Sequence, residues 1–373
     1  MIIGFMLYFI FVRQATHKKV LIFYGFCVIL KSDRFGKRGI TVRLTISDIA
    51  KKTGYAKSTV SAALNNKPGV KPKTREEIQR IAAEMNYIPN EFARNLSMQT
   101  TNTIGIIVRD ITNPFYAKIC RAIENTASEH AYTTLILNTD GIREKELNAI
   151  RVMSGQMVSG VIIDISGKDT DLLMELNKFG LPFVVFGTTA GELAADSVEA
   201  DDYNGAYQAA EYLYSCGHRK IGFVHGGMES VYSQRRLRGI RKALEHNGIE
   251  LEEKYIFYKA KTIQEGYLMG KKLVNFEDLP TAIIAYNDLV AVGMIRALEE
   301  NGRQVPDDIS IIGFDDIELM TFPLTTVQIP EYEMGEKAAE LLFDKIMGKA
   351  SGRPREILLD TELVVRKSVK RLL

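Results

Sequence analysis

From Thr103 onward the chain alternates short apolar runs with longer amphipathic ones, and this alternation restricts the fold more than any other feature. TIGIIV, TTLILN, GVIIDI, PFVVFG, KIGFVH, YIFYKA, AIIAY and SIIGFD read as strands. Helix-like runs lie between them, for example 115–130 and 232–247. Strands that are almost continuously apolar, each followed by a helix, predict an α/β fold with a parallel sheet covered on both faces. The stretch is long enough for two such lobes. Ligands of open parallel sheets sit beyond the carboxyl ends of the strands.

A chain of 373 residues exceeds one small core, so two or three domains are expected. Its net charge of +2 conceals a split. Residues 1–40 hold seven Lys/Arg against one Asp/Glu, and residues 41–100 hold ten against five. The remainder is therefore acidic. A basic front on an acidic body implies a polyanion-binding module joined to something with other work. Cys27, Cys120 and Cys216 are far apart and form no CxxC pair. They support neither a disulfide framework nor a zinc site, and they fit a reducing cytoplasm. The five histidines form no HExxH or HxxxH, and no GxSxG or GxxxxGK[ST] occurs. No metal, cofactor or catalytic residue is expected, and the chain is not read as an enzyme.

The first forty residues contain the apolar runs MIIGFMLYFIFV and VLIFYGFCVIL, separated by RQATHKK. Each run falls short of the roughly 20 residues that cross a bilayer as a helix. The second lacks a small-residue cleavage pattern after it. A membrane or signal element, a genuine extension, and upstream sequence from a misplaced start all fit. The last is preferred, because a self-sufficient domain begins cleanly near Val42, and no membrane partner is expected.

That domain reads as three short helices. Thr45 with Asp48 is an [ST]-x-x-[DE] start, and Ile46, Ile49, Ala50 and Thr53 share one face before Gly54 ends the helix. A second helix over 57–65 turns Val60, Ala63 and Leu64 inward. Pro72 suits the first position of a third helix, which buries Ile78, Ile81, Ala82 and Met85. A tight glycine turn between the first two helices makes a helix-turn-helix. In such a unit the second helix enters the major groove, with its first-turn side chains at base edges. Lys57, Ser58 and Thr59 stand at that end, Ser61 and Asn65 follow, and Thr45 opens the unit. The same residues also suit a solvated face on an ordinary three-helix bundle.

The sequence beyond the third helix separates these alternatives. TISDIAKKTG, STVSAALN, KTREEI, NYIPNEFARNL, IGIIVRDITNPFY, GHRKIGFVHGG, TAIIAYNDLVAVG, VPDDISIIGFDDI and PLTTV occur in this order. With them the chain resembles the lactose-repressor (LacI/GalR) family of bacterial transcription regulators over about residues 44–369. The resemblance implies a helix-turn-helix domain (42–88), a hinge (89–102) that folds into a helix on operator DNA, and a two-lobed effector-binding and dimerisation domain (103–373) like a periplasmic sugar-binding protein. It also implies that Leu96 wedges between base pairs from the minor groove, with Asn90, Ala93 and Arg94 beside it. Departures from the family pattern are Ala56 and Lys71 where serines usually cap helices, and Ala62 where many relatives carry arginine. Each lost cap costs ~1 kcal/mol, and the missing arginine implies a different operator.

In the two-lobed domain, Arg236 in SQRRLRG occupies the position of the family's effector-binding arginine, and Asp288 follows AIIAYN. Aspartate accepts paired hydroxyls and arginine donates a fork, which suits a sugar or a nucleobase. Phe115 and Tyr116 in NPFY supply an apolar wall. The bland alternatives are a helix N-terminal carboxylate for Asp288 and plain core for Phe115. Gly187-Thr188-Thr189 stands where some relatives have an acidic residue, Lys261 where an aromatic is common, and the chain has no Trp. These departures leave the effector unidentified, with a sugar or sugar derivative favoured.

The expected function is a cytoplasmic, effector-controlled repressor that binds a palindromic operator in double-stranded DNA. Each half-site needs its own recognition helix, so a homodimer is expected. An exported or membrane-anchored sugar-binding protein is the alternative, but it has no use for a basic helix-turn-helix. Leu96→Ala is expected to weaken specific binding by a few kcal/mol, because the unstacked step loses its apolar filler. Nonspecific binding and its salt slope should barely change. Equal losses on operator and random DNA in filter-binding titrations would exclude the wedge.

Overall fold

The computed structural model describes residues 44–87, 101–165, 171–187, 195–318, 322–350 and 352–372, with the backbone of 20–23, 26–29 and 170. The chain divides into two compact units, residues 1–94 and 95–373. In the first, β1 (Val20–Phe23) pairs antiparallel with β2 (Phe26–Ile29), Val20 opposite Ile29. Among the described residues, no helix is long and apolar enough to cross a membrane.

Three helices follow: α1 (Ile46–Thr53), α2 (Lys57–Leu64) and α3 (Pro72–Glu84). The Asp48 carboxylate accepts from the Thr45 N–H (2.9 Å) and hydroxyl (2.7 Å), which fixes the start of α1. Gly54 ends it at φ +74°, a left-handed conformation that favours glycine. Ala56 and Lys71 precede α2 and α3 without a side-chain cap, as their residue types dictate. Ile49, Val60, Ala63, Ile78 and Ala82 form the buried centre, with Ile46, Ala50, Leu64 and Met85 packed against it. The apolar positions read from helical spacing thus meet in one small core, except Ile81, which is only half-buried and lies outside it.

The second unit holds two six-stranded sheets. One runs β13-β7-β6-β5-β3-β4 and the other β14-β12-β11-β10-β8-β9. The eight expected runs become β3 (Thr103–Val108), β4 (Thr133–Asn138), β5 (Val161–Asp164), β6 (Phe183–Phe186), β8 (Ile221–His225), β9 (Ile256–Tyr258), β10 (Ala282–Ile284) and β11 (Ser310–Asp315). The strand reading missed β7 (Ser197–Ala200), β12 (Thr325–Gln328), β13 (Glu356–Leu359) and β14 (Glu362–Val364). All are short, and β7 and β12 are half or more polar, although Ser197, Glu199, Thr325 and Thr326 are buried. Every pairing in the two sheets is parallel except β12 with β14.

The helices of this unit are α4 (Pro114–Glu129), α5 (Arg143–Gly155), α6 (Thr170–Lys178), α7 (Asp202–Ser215), α8 (Val231–His246), α9 (Ile263–Val274), α10 (Asp288–Glu300) and α11 (Glu331–Ile346). Helix α11 packs on α4 and the first sheet, whereas α7 packs on α8 and the second. The chain therefore passes between lobes three times: after β7, after β12, and between β13 and β14. Packed helix pairs close together where a side chain is absent. A Cβ on Gly293 of α10 would sit 2.0 Å from the Ile263 carbonyl of α9, and one on Gly239 of α8 would sit 2.1 Å from the Tyr203 carbonyl of α7.

Asp288, expected to reach a ligand, instead turns into the protein. Asn287 caps α10, its side chain accepting from the Val290 N–H at 2.9 Å. The next residue therefore points toward the sheet. The Asp288 carboxylate accepts from the Thr326 hydroxyl (2.6 Å) and the Ile317 N–H (2.9 Å), and its side chain is buried. These bonds join α10 to β12 and to the segment after β11. Burial pushes the Asp288 carboxyl up to about 6, against the pull of those donors.

Two outcomes follow for stability. Gly293→Ala should destabilise by roughly 1–3 kcal/mol, because a backbone carbonyl cannot swing aside; an unchanged melting temperature would refute the close helix contact. Asp288→Asn should stabilise relative to wild type as pH rises. The folded carboxyl titrates near 6 and the unfolded one near 3.8, so the wild type loses stability across that window, by on the order of 3 kcal/mol. Parallel denaturation curves at pH 4 and pH 7 would measure the difference.

Candidate functional site

A cavity of about 360 Å³ lies between the two lobes. Its lining follows from the topology. Arg109 and Asp110 come after β3, Asp140 after β4, Gly187 after β6, Glu229 after β8, Lys261 after β9, Tyr286 and Asn287 after β10, and Asp315 ends β11. Both parallel sheets thus present their carboxyl ends to one space, where parallel architecture collects ligand-binding side chains.

Three of the four residues expected at an effector line this cavity: Phe115, Tyr116 and Arg236. Asp288 does not. Asn113 caps α4, accepting from the Phe115 N–H at 3.1 Å, and so presents Phe115 and Tyr116 on its first turn. Their rings meet edge to face at 5.2 Å. The Tyr116 hydroxyl donates to Asp164 at 2.5 Å, and the same Oδ2 accepts from Arg109 Nε at 2.9 Å. Tyr232 of α8, from the other lobe, donates to Asp164 Oδ1 at 3.0 Å. Asp164 is therefore satisfied by both lobes at once.

Arg236 is 4% exposed. Its Nε and Nη2 both reach Asp202 Oδ1 at 2.7 Å, its Nη1 donates to the Tyr286 carbonyl, and its guanidinium lies 3.6 Å from the Phe314 ring centroid. Burial opposes its charge, but Asp202, Asp315 and Tyr286 together outweigh burial and hold it protonated. Asp315 adopts φ +112°, a left-handed backbone that is strained for a residue with a Cβ. It is 5% exposed, and burial pushes its carboxyl well above the usual range despite Arg236 nearby. Sequence reasoning missed Asp315, Asn287, Arg109, Asp164 and Tyr232. The signal for Asp315 was present, since it is the last residue of the SIIGFD run and so stands at a strand's carboxyl end.

In the helical unit, Lys57 and Ser58 are exposed at the start of α2, and Thr59 and Ser61 are half-buried on it. The exposed Asn65 donates its amide to the Ser61 carbonyl at 2.8 Å, closing the end of the helix. Thr45 is engaged with Asp48. Asn90, Ala93, Arg94 and Leu96 lie outside the described residues.

Comparison with known proteins bears on both units. Residues 45–90 match the family profile described as bacterial regulatory proteins, lacI family, and residues 101–367 match that of periplasmic binding proteins and sugar binding domain of LacI family. The HTH-type transcriptional repressor CytR of Escherichia coli K12 is 34% identical over 88% of this chain and 97% of that protein. The HTH-type transcriptional repressor PurR of Vibrio vulnificus is 32% identical over 88% and 99%. The lac repressor dimer bound to operator and the anti-inducer ONPF is similar in structure, with TM-score 0.77 and 27% identity, over 88% of this chain and 99% of that one. A complex of the transcriptional regulator CelR with cellobiose gives TM-score 0.67 and 30% identity over 87% and 100%. A helix-turn-helix followed by two parallel-sheet lobes, each matching the corresponding part of these proteins, identifies the chain as a member of the LacI family of bacterial transcription regulators.

Proposed function

We propose that this protein is a cytoplasmic repressor that binds a palindromic operator as a homodimer and is controlled by a small-molecule effector in the cleft between its lobes. The observation that carries the reading is the presence, in one chain, of a helix-turn-helix with exposed Lys57 and Ser58 at the start of its second helix and a polar cleft at the carboxyl ends of two sheets. The division into a DNA-binding domain (42–88), a hinge (89–102) and an effector-binding domain (103–373) follows from it. Lys57, Ser58, Thr59, Ser61 and Asn65, with Thr45, are assigned to the DNA face. Asn90, Ala93, Arg94 and Leu96 are assigned to the hinge contacts.

In the cleft, Phe115, Tyr116 and Arg236 are assigned to the effector, and Asp315 joins them as the accepting carboxylate. A sugar or sugar derivative is favoured because the relatives of known structure include the cellobiose complex already described and a LacI family regulator from Enterococcus faecium with bound ribose, TM-score 0.65 at 31% identity. Effector and DNA are coupled only to the extent that the effector binds one lobe arrangement more tightly than another.

The test starts from DNA selected for binding by the full chain, followed by gel retardation and sedimentation of the complex. Two chains per palindrome are expected, and failure to enrich any sequence would overturn the reading. Lys57→Ala should weaken binding to selected and random DNA alike and reduce the salt slope by about one, as loss of a phosphate contact requires. A loss confined to the selected sequence would instead make Lys57 a base-reading residue.

A further inference from the structure

The crossing after β12 consists of Ile329 and Pro330, and Glu331 opens α11 immediately beyond it. Glu331 is 4% exposed, and its Oε2 lies 3.3 Å from Nζ of Lys118 on α4. The same Nζ lies 3.3 Å from Oε1 of Glu318, in the segment after β11. Lys118 and Glu331 belong to one lobe. A Cβ on Gly335, one turn farther along α11, would sit 2.4 Å from the Ile119 carbonyl of α4, so the two helices pack at backbone distance. Glu318 belongs to the other lobe, as do Asp315 and Asp316, which act on Glu331 from the same side. Asp316 is held there by Arg366 at 2.7 Å and by the Gln328 amide at 3.1 Å. Glu333, on the first turn of α11, is exposed.

One ammonium shared between carboxylates of different lobes makes the ionisation of Glu331 depend on how closely the lobes approach. With the lobes as they stand, burial raises the Glu331 carboxyl to about 7, Lys118 pulls against that rise, and Asp316 adds to it. Parting the lobes would carry Asp316 away, admit water and leave Lys118 to Glu331 alone. Each of these changes favours the carboxylate over the acid. The approached arrangement therefore binds the proton more tightly, and by linkage the proton favours approach. Lys118 keeps its own charge, since burial acts against it but Glu331 and Glu318 outweigh burial.

We propose that Lys118, Glu331 and Glu318 form a proton-sensitive tether at the second crossing, which draws the two lobes together as pH falls through neutrality, whatever occupies the cleft. Glu331 is the group that takes the proton, Lys118 transmits its loss or gain, and Glu318 is the hold on the opposite lobe.

Energy transfer between dyes on the two rims of the cleft tests this in the full chain. Ile142 and Met228 are exposed, follow or precede cleft-lining residues on opposite lobes, and accept noncanonical side chains for labelling; labelled chain is diluted with unlabelled chain so that only transfer within one chain is read. Between pH 8 and pH 6 the wild type should show rising transfer with a midpoint near 7. Glu331→Gln, which carries no charge at any pH, should show high transfer that no longer responds. In Glu318→Gln, Lys118 belongs to Glu331 in both arrangements, so the midpoint should move downward, by up to about one unit, and the response should shrink. The Glu318 side chain is 81% exposed, so this variant leaves the core untouched. Constant transfer in the wild type, transfer that falls on acidification, a full response in Glu331→Gln, or a wild-type midpoint in Glu318→Gln would each overturn the proposal.

Discussion

The cleft depends on one buried ion pair. Asp202 begins α7 immediately after the chain crosses from the first lobe, and Arg236 on α8 reaches back to it while holding the Tyr286 carbonyl and lying on Phe314. A single side chain thus ties together a crossover, two helices and the ends of β10 and β11. Taking both charges from water is expensive, so the pair is worth little net against an apolar replacement. Its importance is geometric. With Asp202 neutralised, the floor of the cavity keeps its shape and a polar lining without an exposed guanidinium.

Much of this architecture was legible because parallel strands buried on both faces announce themselves as continuous apolar runs. The eight runs read as strands from Thr103 onward all became strands, and the three helices of the first unit follow their apolar spacing. The strands that escaped notice lie at or near sheet edges, or carry residues such as Thr326 whose polar groups are satisfied by tertiary partners that no local pattern reveals. Site residues were harder. Asn287 and Asp288 are adjacent and both follow β10, yet successive residues entering a helix diverge by about 100°. One lines the cleft and the other is committed to Thr326. Sequence order locates a strand's end but does not say which of two neighbouring side chains faces outward. Asp315, 27 positions later, ends the neighbouring strand and lines the cavity where the sequence reading placed Asp288.

Three crossings join the lobes, so neither lobe is a continuous piece of sequence. The first sheet is completed by β13 and the second by β14, both from the last twenty residues. Movement of one lobe against the other must therefore be absorbed by three short segments together. Two of them carry cleft residues, Ala200 and Asp202 on one and Ile329 on another. Occupation of the cleft and the angle between the lobes are in this way read by the same backbone.

Gly187 has a further consequence. It sits at φ +99° at the end of β6, and a Cβ there would lie 2.1 Å from the Tyr232 hydroxyl, which crosses from the opposite lobe to Asp164. Even a methyl group would displace that hydroxyl from its acceptor. The smallest side chain in the protein therefore acts as the gauge of the gap. Substitution at this one position therefore alters a contact that spans both lobes, without touching the buried core of either.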